Sequence, residues 1–163
     1  MIVYHGSVTE VREPDVLHSF RELDFGKGFY VTTVQRQAER WALRKADLFG
    51  PAKAIVNEYE MREDTSAFSV LTFGSDLNAW LDFVCKCRDG EPDYQQYDLI
   101  CGKVADDKVY RVVELYKDGI WDRDRALKEI RAYEDYDQTA FISQRAIDAL
   151  LRFQRSWEVE PHV

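Results

Sequence analysis

The sequence predicts a single α+β domain. Short β-branched and aromatic runs mix irregularly with amphipathic stretches of helical period, without the strict alternation that builds a parallel α/β sheet. A length of 163 residues fits one domain. No internal repeat, low-complexity tract or linker interrupts it. With 45% hydrophobic and 13% aromatic residues, the chain has ample material for one buried core.

The elements follow in order. Residues 2–5 are an apolar run ending at a glycine and read as an opening strand. Residues 8–27 show no sustained period, contain Pro14 and end in Gly26 and Gly28, so a loop with a turn or two of helix is expected. Residues 29–33 are aromatic and β-branched, which favours a strand. Residues 35–49 carry Ala38, Trp41, Ala42, Leu48 and Phe49 at helical spacing and stop at Gly50-Pro51. Strands are expected at 52–59 and 67–71. Residues 76–86 place Leu77, Trp80, Leu81 and Val84 on one helical face behind Asp76 as N-cap. A buried strand at 97–102 precedes helices at 106–117 and 122–133, separated by Gly119. A strand at 137–142, a helix or turn at 143–151 and a closing strand at 152–159 complete the chain.

The formal net charge is −8, from 30 acidic against 22 basic residues. Such a surface repels phosphate backbones and anionic membranes, so general nucleic-acid or membrane binding is disfavoured. A ligand with two phosphates needs only a local basic pocket. Cys85, Cys87 and Cys101 are an odd number, which fits a reducing compartment rather than a disulfide framework. The N-terminus has neither a basic start nor a signal-length apolar core, and no run approaches the roughly 18 apolar residues of a membrane span. A cytoplasmic protein is expected.

Three segments can carry chemistry. In Tyr4-His5-Gly6-Ser7, a histidine ends a strand and a glycine lets the backbone come close to a ligand. The same pattern also describes a strand running into an ordinary turn. In the segment 24–33, Gly26 and Gly28 bracket Lys27 ahead of an aromatic strand. Such a turn can aim N–H groups at a phosphate, or simply close a hairpin; it is neither a Walker A loop nor a GxGxxG fingerprint. In 133–141, acidic and amide side chains precede a strand and can bind sugar hydroxyls, or form a solvated loop. Cys85 and Cys87 point about 200° apart on a helix and cannot readily share a metal. Asp106-Asp107 reads as a helix cap, and His18 and His162 as incidental.

Taken in this order, His-Gly-Ser, then Phe-Gly-x-Gly-Phe-Tyr-x-Thr, then a late strand opening with a polar residue, the sequence resembles the ADP-ribosyltransferase superfamily. Its diphtheria-toxin and poly(ADP-ribose) polymerase branch reads His, Tyr, Glu at these places. More closely, the chain resembles small bacterial proteins with a His-Tyr-Asp signature, many of them toxins expected to be encoded beside an antitoxin. The blocks 37–42, 80–84, 97–107 and 137–141 extend the resemblance over most of residues 2–156.

The resemblance implies split antiparallel β-sheets with flanking helices around a cleft that grips NAD as co-substrate. His5 would bind a ribose hydroxyl, the Gly6 backbone would hold the carboxamide, and Ser7 would support the ribose. Tyr30 would stack on nicotinamide while Phe29 turns into the core. Phe25, Gly26, Lys27, Gly28 and Thr32 complete the expected NAD contacts. The family's Glu is absent here. Its place falls to Asp137 or Gln138, only one of which can face the cleft. The implied activity is mono-ADP-ribosyl transfer to a protein, nucleic acid or small molecule, by a toxin whose partner is an antitoxin. Three alternatives remain: NAD hydrolysis in the same pocket, a catalytically impaired module that binds NAD or a partner, and an unrelated α+β domain. A shared cavity for His5 and Tyr30 separates the last from the rest.

Overall fold

The computed structural model describes residues 1–18, 23–104, 107–133 and 136–161. Seven strands and five α-helices run in the order β1 (Ile2–Ser7), β2 (Phe29–Val31), α1 (Gln35–Phe49), β3 (Ala54–Met61), β4 (Val70–Thr72), α2 (Leu77–Arg88), β5 (Leu99–Lys103), α3 (Asp107–Lys117), α4 (Arg123–Ala132), β6 (Asp137–Phe141), α5 (Gln144–Leu150) and β7 (Leu151–Val159). Short 3-10 turns stand at Val16–His18 and Pro92–Gln96. The architecture is α+β.

The strands form two sheets, one ordered β1-β3-β7 and the other β2-β6-β5-β4. The first is antiparallel throughout. The second is mixed, which corrects the expectation of purely antiparallel sheets, because β4 runs parallel to β5. This strand also starts later than expected. Residues 65–68 are closed into a turn by Phe68 N–H donating to the Thr65 carbonyl, and Asp98 then pins Ser69 before pairing begins at Val70.

Three apolar clusters follow from strand alternation. One face of the first sheet carries Ala54 and Val56 against Ala38 and Ala42 of α1. Its other face sends Val3, Tyr59 and Met61 onto Phe29, Val31, Leu99 and Phe141 of the second sheet, closed by α5. The far face of the second sheet places Tyr30, Ile100 and Ala140 under α2, α3 and α4, centred on fully buried Trp80.

In β7, Gln154 has no partner, since Tyr59 pairs with Phe153 and Glu58 with Arg155. The extra residue turns the strand over. Phe153 therefore packs between the sheets while Trp157 packs toward α1.

The local signals for helices hold up well. The helix at 35–49 keeps both expected ends. Asp76, Asp122 and Ser143 each accept an N–H bond at a helix start. Asp106, Glu134, Asp135 and His162 lie outside the described residues, as do residues 19–22 of the loop and the side chain of Asp107. Among the described residues, no helix is long and apolar enough to cross a membrane.

Candidate functional site

Beside their face-to-face packing, the sheets are joined by a bridge between Tyr4 and Thr32. Tyr4 N–H donates to the Thr32 carbonyl at 2.8 Å and Thr32 N–H to the Tyr4 carbonyl at 2.9 Å. Beyond it β1 and β2 belong to different sheets and part company. A cavity of about 590 Å³ opens there, and His5, Tyr30 and Gln138 all line it. That volume lies in the usual range for a small-ligand site.

Each of the three side chains is held firmly. The His5 ring is buried, stacked on Phe29 with centroids 4.2 Å apart, and its Nδ1 lies 2.6 Å from the Tyr30 carbonyl. A carbonyl can only accept, so Nδ1 carries the proton. The Tyr30 hydroxyl donates to the Gly26 carbonyl at 2.5 Å and accepts from Phe25 N–H at 3.0 Å, which ties the loop to the cavity wall. Gln138 Nε2 donates to Asp24 Oδ2 at 3.2 Å and to the Lys103 carbonyl at 3.3 Å. Alternation on β6 brings Gln138 rather than Asp137 to the cavity. Gln138 is buried in the cavity wall and also borders a more open groove of about 810 Å³, where Asp137 accepts from Thr33 Oγ1 at 2.6 Å and from Thr33 N–H at 3.1 Å.

The charge in the cavity runs against that of the whole chain. Four cations line it, Arg44, Lys45, Arg88 and Lys117, against the carboxylates of Asp24 and Glu114. Lys45 reaches from α1 to donate to the Gly6 carbonyl at 2.7 Å. Arg88 is almost wholly buried, paired with Asp24 at 2.8 Å and Glu114 at 3.2 Å, and lies over the Tyr110 ring at 4.1 Å.

A model of a family described as a protein of unknown function, DUF3990, matches residues 1–153. The chain belongs to the DUF3990 family. No curated protein matches it.

Several residues expected at the ligand lie elsewhere in this DUF3990 domain. Gly6, Ser7, Phe25, Gly26, Lys27, Gly28 and Thr32 are not among the residues lining the cavity. Gly6 serves helix packing: a Cβ there would stand 2.2 Å from the Ala38 carbonyl oxygen of α1. Gly26 has a φ of 86°, and a Cβ would fall 2.4 Å from the Tyr94 ring, so the conformation and the ring both demand glycine. Lys27 is exposed. Ser7 Oγ accepts from Thr9 N–H, and Thr32 sits wholly buried at the bridge. The glycines of the 24–33 segment thus shape the loop against protein rather than forming the cavity wall.

The sequence reading missed the α1 contribution. Trp41, Arg44, Lys45 and Leu48 line the cavity from one stripe of the helix, while Ala38 and Ala42 face the sheet. Their spacing of i, i+3, i+4, i+7 is visible in the sequence as a second helical face. Arg88 carried no comparable signal, because its partners are 64 and 26 residues away.

Burial, and after it the charge of Asp24, push the Tyr30 phenol well above its ordinary value of 10.0. Burial raises Tyr59 as well. An unfolded phenol loses its proton near pH 10 while these keep theirs, so the folded state binds more protons above that pH. Stability is expected to be unaffected by these groups below pH 10 and to fall as pH rises beyond it. A spectrophotometric titration should show both tyrosines ionising only with unfolding. A free phenolate at Tyr30 in folded protein near pH 10 would contradict the buried hydroxyl.

Proposed function

We propose that this domain binds NAD in the cavity between the sheets and cleaves it, transferring ADP-ribose to an acceptor. The observation that carries the reading is that His5 from one sheet and Tyr30 and Gln138 from the other line one cavity with an excess of cations. The cavity is polarised in a way that suits a dinucleotide. Arg44 and Lys45 stand on the side of the first sheet, where a diphosphate would be neutralised. On the side of Tyr30 and Gln138 the carboxylates of Asp24 and Glu114 balance Arg88 and Lys117, and a nicotinamide ring would lie there.

His5 lines the cavity where a ribose would lie, and the Tyr30 ring offers a stacking surface. Acceptor transfer and hydrolysis share this pocket chemistry. A toxin role with a neutralising antitoxin belongs to the same proposal and rests on the sequence resemblance alone. A second reading, an impaired module that only binds NAD or a partner, is favoured by one observation. On the cavity side, β6 offers a neutral amide where an acid is expected.

The test is thermal stability and nicotinamide release with NAD, for wild type, His5→Ala and Tyr30→Ala. At a concentration 100 times the dissociation constant, NAD should stabilise the wild type by about 2.7 kcal/mol. That is a rise of roughly 5–11 °C for a chain of this size. Both folded variants should lose the rise and the release. No rise in the wild type would remove the NAD site, and a rise without release, with any acceptor tried, would favour the binding module.

A further inference from the structure

Cleavage of NAD breaks the bond between ribose C1′ and the nicotinamide ring nitrogen. The bonding electron pair leaves with nicotinamide, neutralising that nitrogen, and positive charge passes to the sugar. An acceptor oxygen, that of water in hydrolysis, then bonds C1′ and releases its proton to solvent. The developing cation calls for a nearby negative charge. On the cavity side, β6 supplies none.

We infer that Asp24, on the loop ahead of β2, supplies this charge and holds Gln138 as the sugar-hydroxyl acceptor, an inference that rests on the NAD reading above. Asp24 lines the cavity together with Tyr30 and Gln138. Its Oδ1 accepts from Arg88 Nη2 at 2.8 Å, and its Oδ2 accepts from Gln138 Nε2 at 3.2 Å. Arg88 also serves Glu114 at 3.2 Å. The Asp24 carboxylate acts on the site, since it is the next cause after burial that holds the Tyr30 phenol protonated.

The second effect is geometric. Asp24 Oδ2 and the Lys103 carbonyl both face the Gln138 amide, and both are acceptors. Only the NH₂ end of the amide satisfies them, so Oε1 is left as the acceptor for a ligand hydroxyl. Asp24 is therefore a positioning residue. It acts through Gln138 and through its field, with Arg88 fixing its own orientation.

The experiment is steady-state nicotinamide release from NAD by wild type, Asp24→Asn, Asp24→Glu and the double substitution Asp24→Asn, Gln138→Glu, with melting temperatures for each. Asp24→Asn removes the carboxylate and sets a second NH₂ against that of Gln138. Its kcat should fall about 100-fold, with KM for NAD changed less than about threefold, since the loss falls on the transition state. Asp24→Glu should recover part of the rate. The double substitution returns a carboxylate to the site and should recover about tenfold over Asp24→Asn.

A folded Asp24→Asn protein with kcat within threefold of wild type overturns the inference and leaves the NAD site standing. Absence of any NAD-dependent rise in wild-type melting temperature removes the NAD site and this inference with it. Should Asp24→Asn fail to fold, Gln138→Met keeps the Asp24–Arg88 pair, and an undiminished kcat there is equally fatal.

Discussion

Gly6→Ala is expected to lower the melting temperature by roughly 6–12 °C, corresponding to about 3 kcal/mol for a chain of this length. The new methyl would meet backbone on α1, 2.2 Å from the Ala38 carbonyl oxygen and 2.7 Å from the Ala42 nitrogen. Flexible side-chain ends can swing aside, but a helix backbone cannot. Relief requires α1 to move off the first sheet, which opens the packing of Ala38 and Ala42 on Val56. The same movement carries Arg44 and Lys45 away from their places on the cavity, so ligand affinity should fall with stability. Thermal unfolding followed by circular dichroism tests this. A loss below 2 °C would show that α1 is not seated as tightly as the distances state.

Arg88→Ala should cost about 3 kcal/mol. Removing one partner from a buried ion pair typically costs about 3–5 kcal/mol, because the remaining charge stays buried. The lower end applies here, since Glu114 is 36% exposed and water can partly solvate it. Asp24 is better covered, with 14% of its side chain exposed. The variant also loses the stacking of the guanidinium on Tyr110 at 4.1 Å. Denaturant unfolding followed by circular dichroism measures the cost. A loss below about 1 kcal/mol would show that the pairing of Arg88 with Asp24 and Glu114 contributes little.

Much of the helical framework was legible from short stretches of sequence. The period of Ala38, Trp41 and Ala42 and the Gly50-Pro51 stop define α1 at both ends. Asp76, Asp122 and Ser143 declare the starts of their helices through side-chain bonds to N–H groups two or three residues on. The opposed orientations of Phe29 and Tyr30 follow from strand alternation alone, and they divide one side chain to the core from one to the cavity. These signals are local: a helix period and a cap are completed within a few residues.

Other features depended on residues far apart in the chain. The parallel setting of β4 on β5 and the unpaired Gln154 that turns β7 over both arise from pairing with distant strands. The choice between Asp137 and Gln138 depended on which face of β6 meets the cavity. Asp24 and Gln138 are 114 residues apart, and Arg88 joins them from a third element. Local chemistry along the chain thus sets the elements, their caps and the inward and outward faces of the strands. Which faces enclose the cavity and which charges stand in it follow from the assembled fold, because sheet order and ion pairing are settled only when segments remote in sequence bury one another's surfaces.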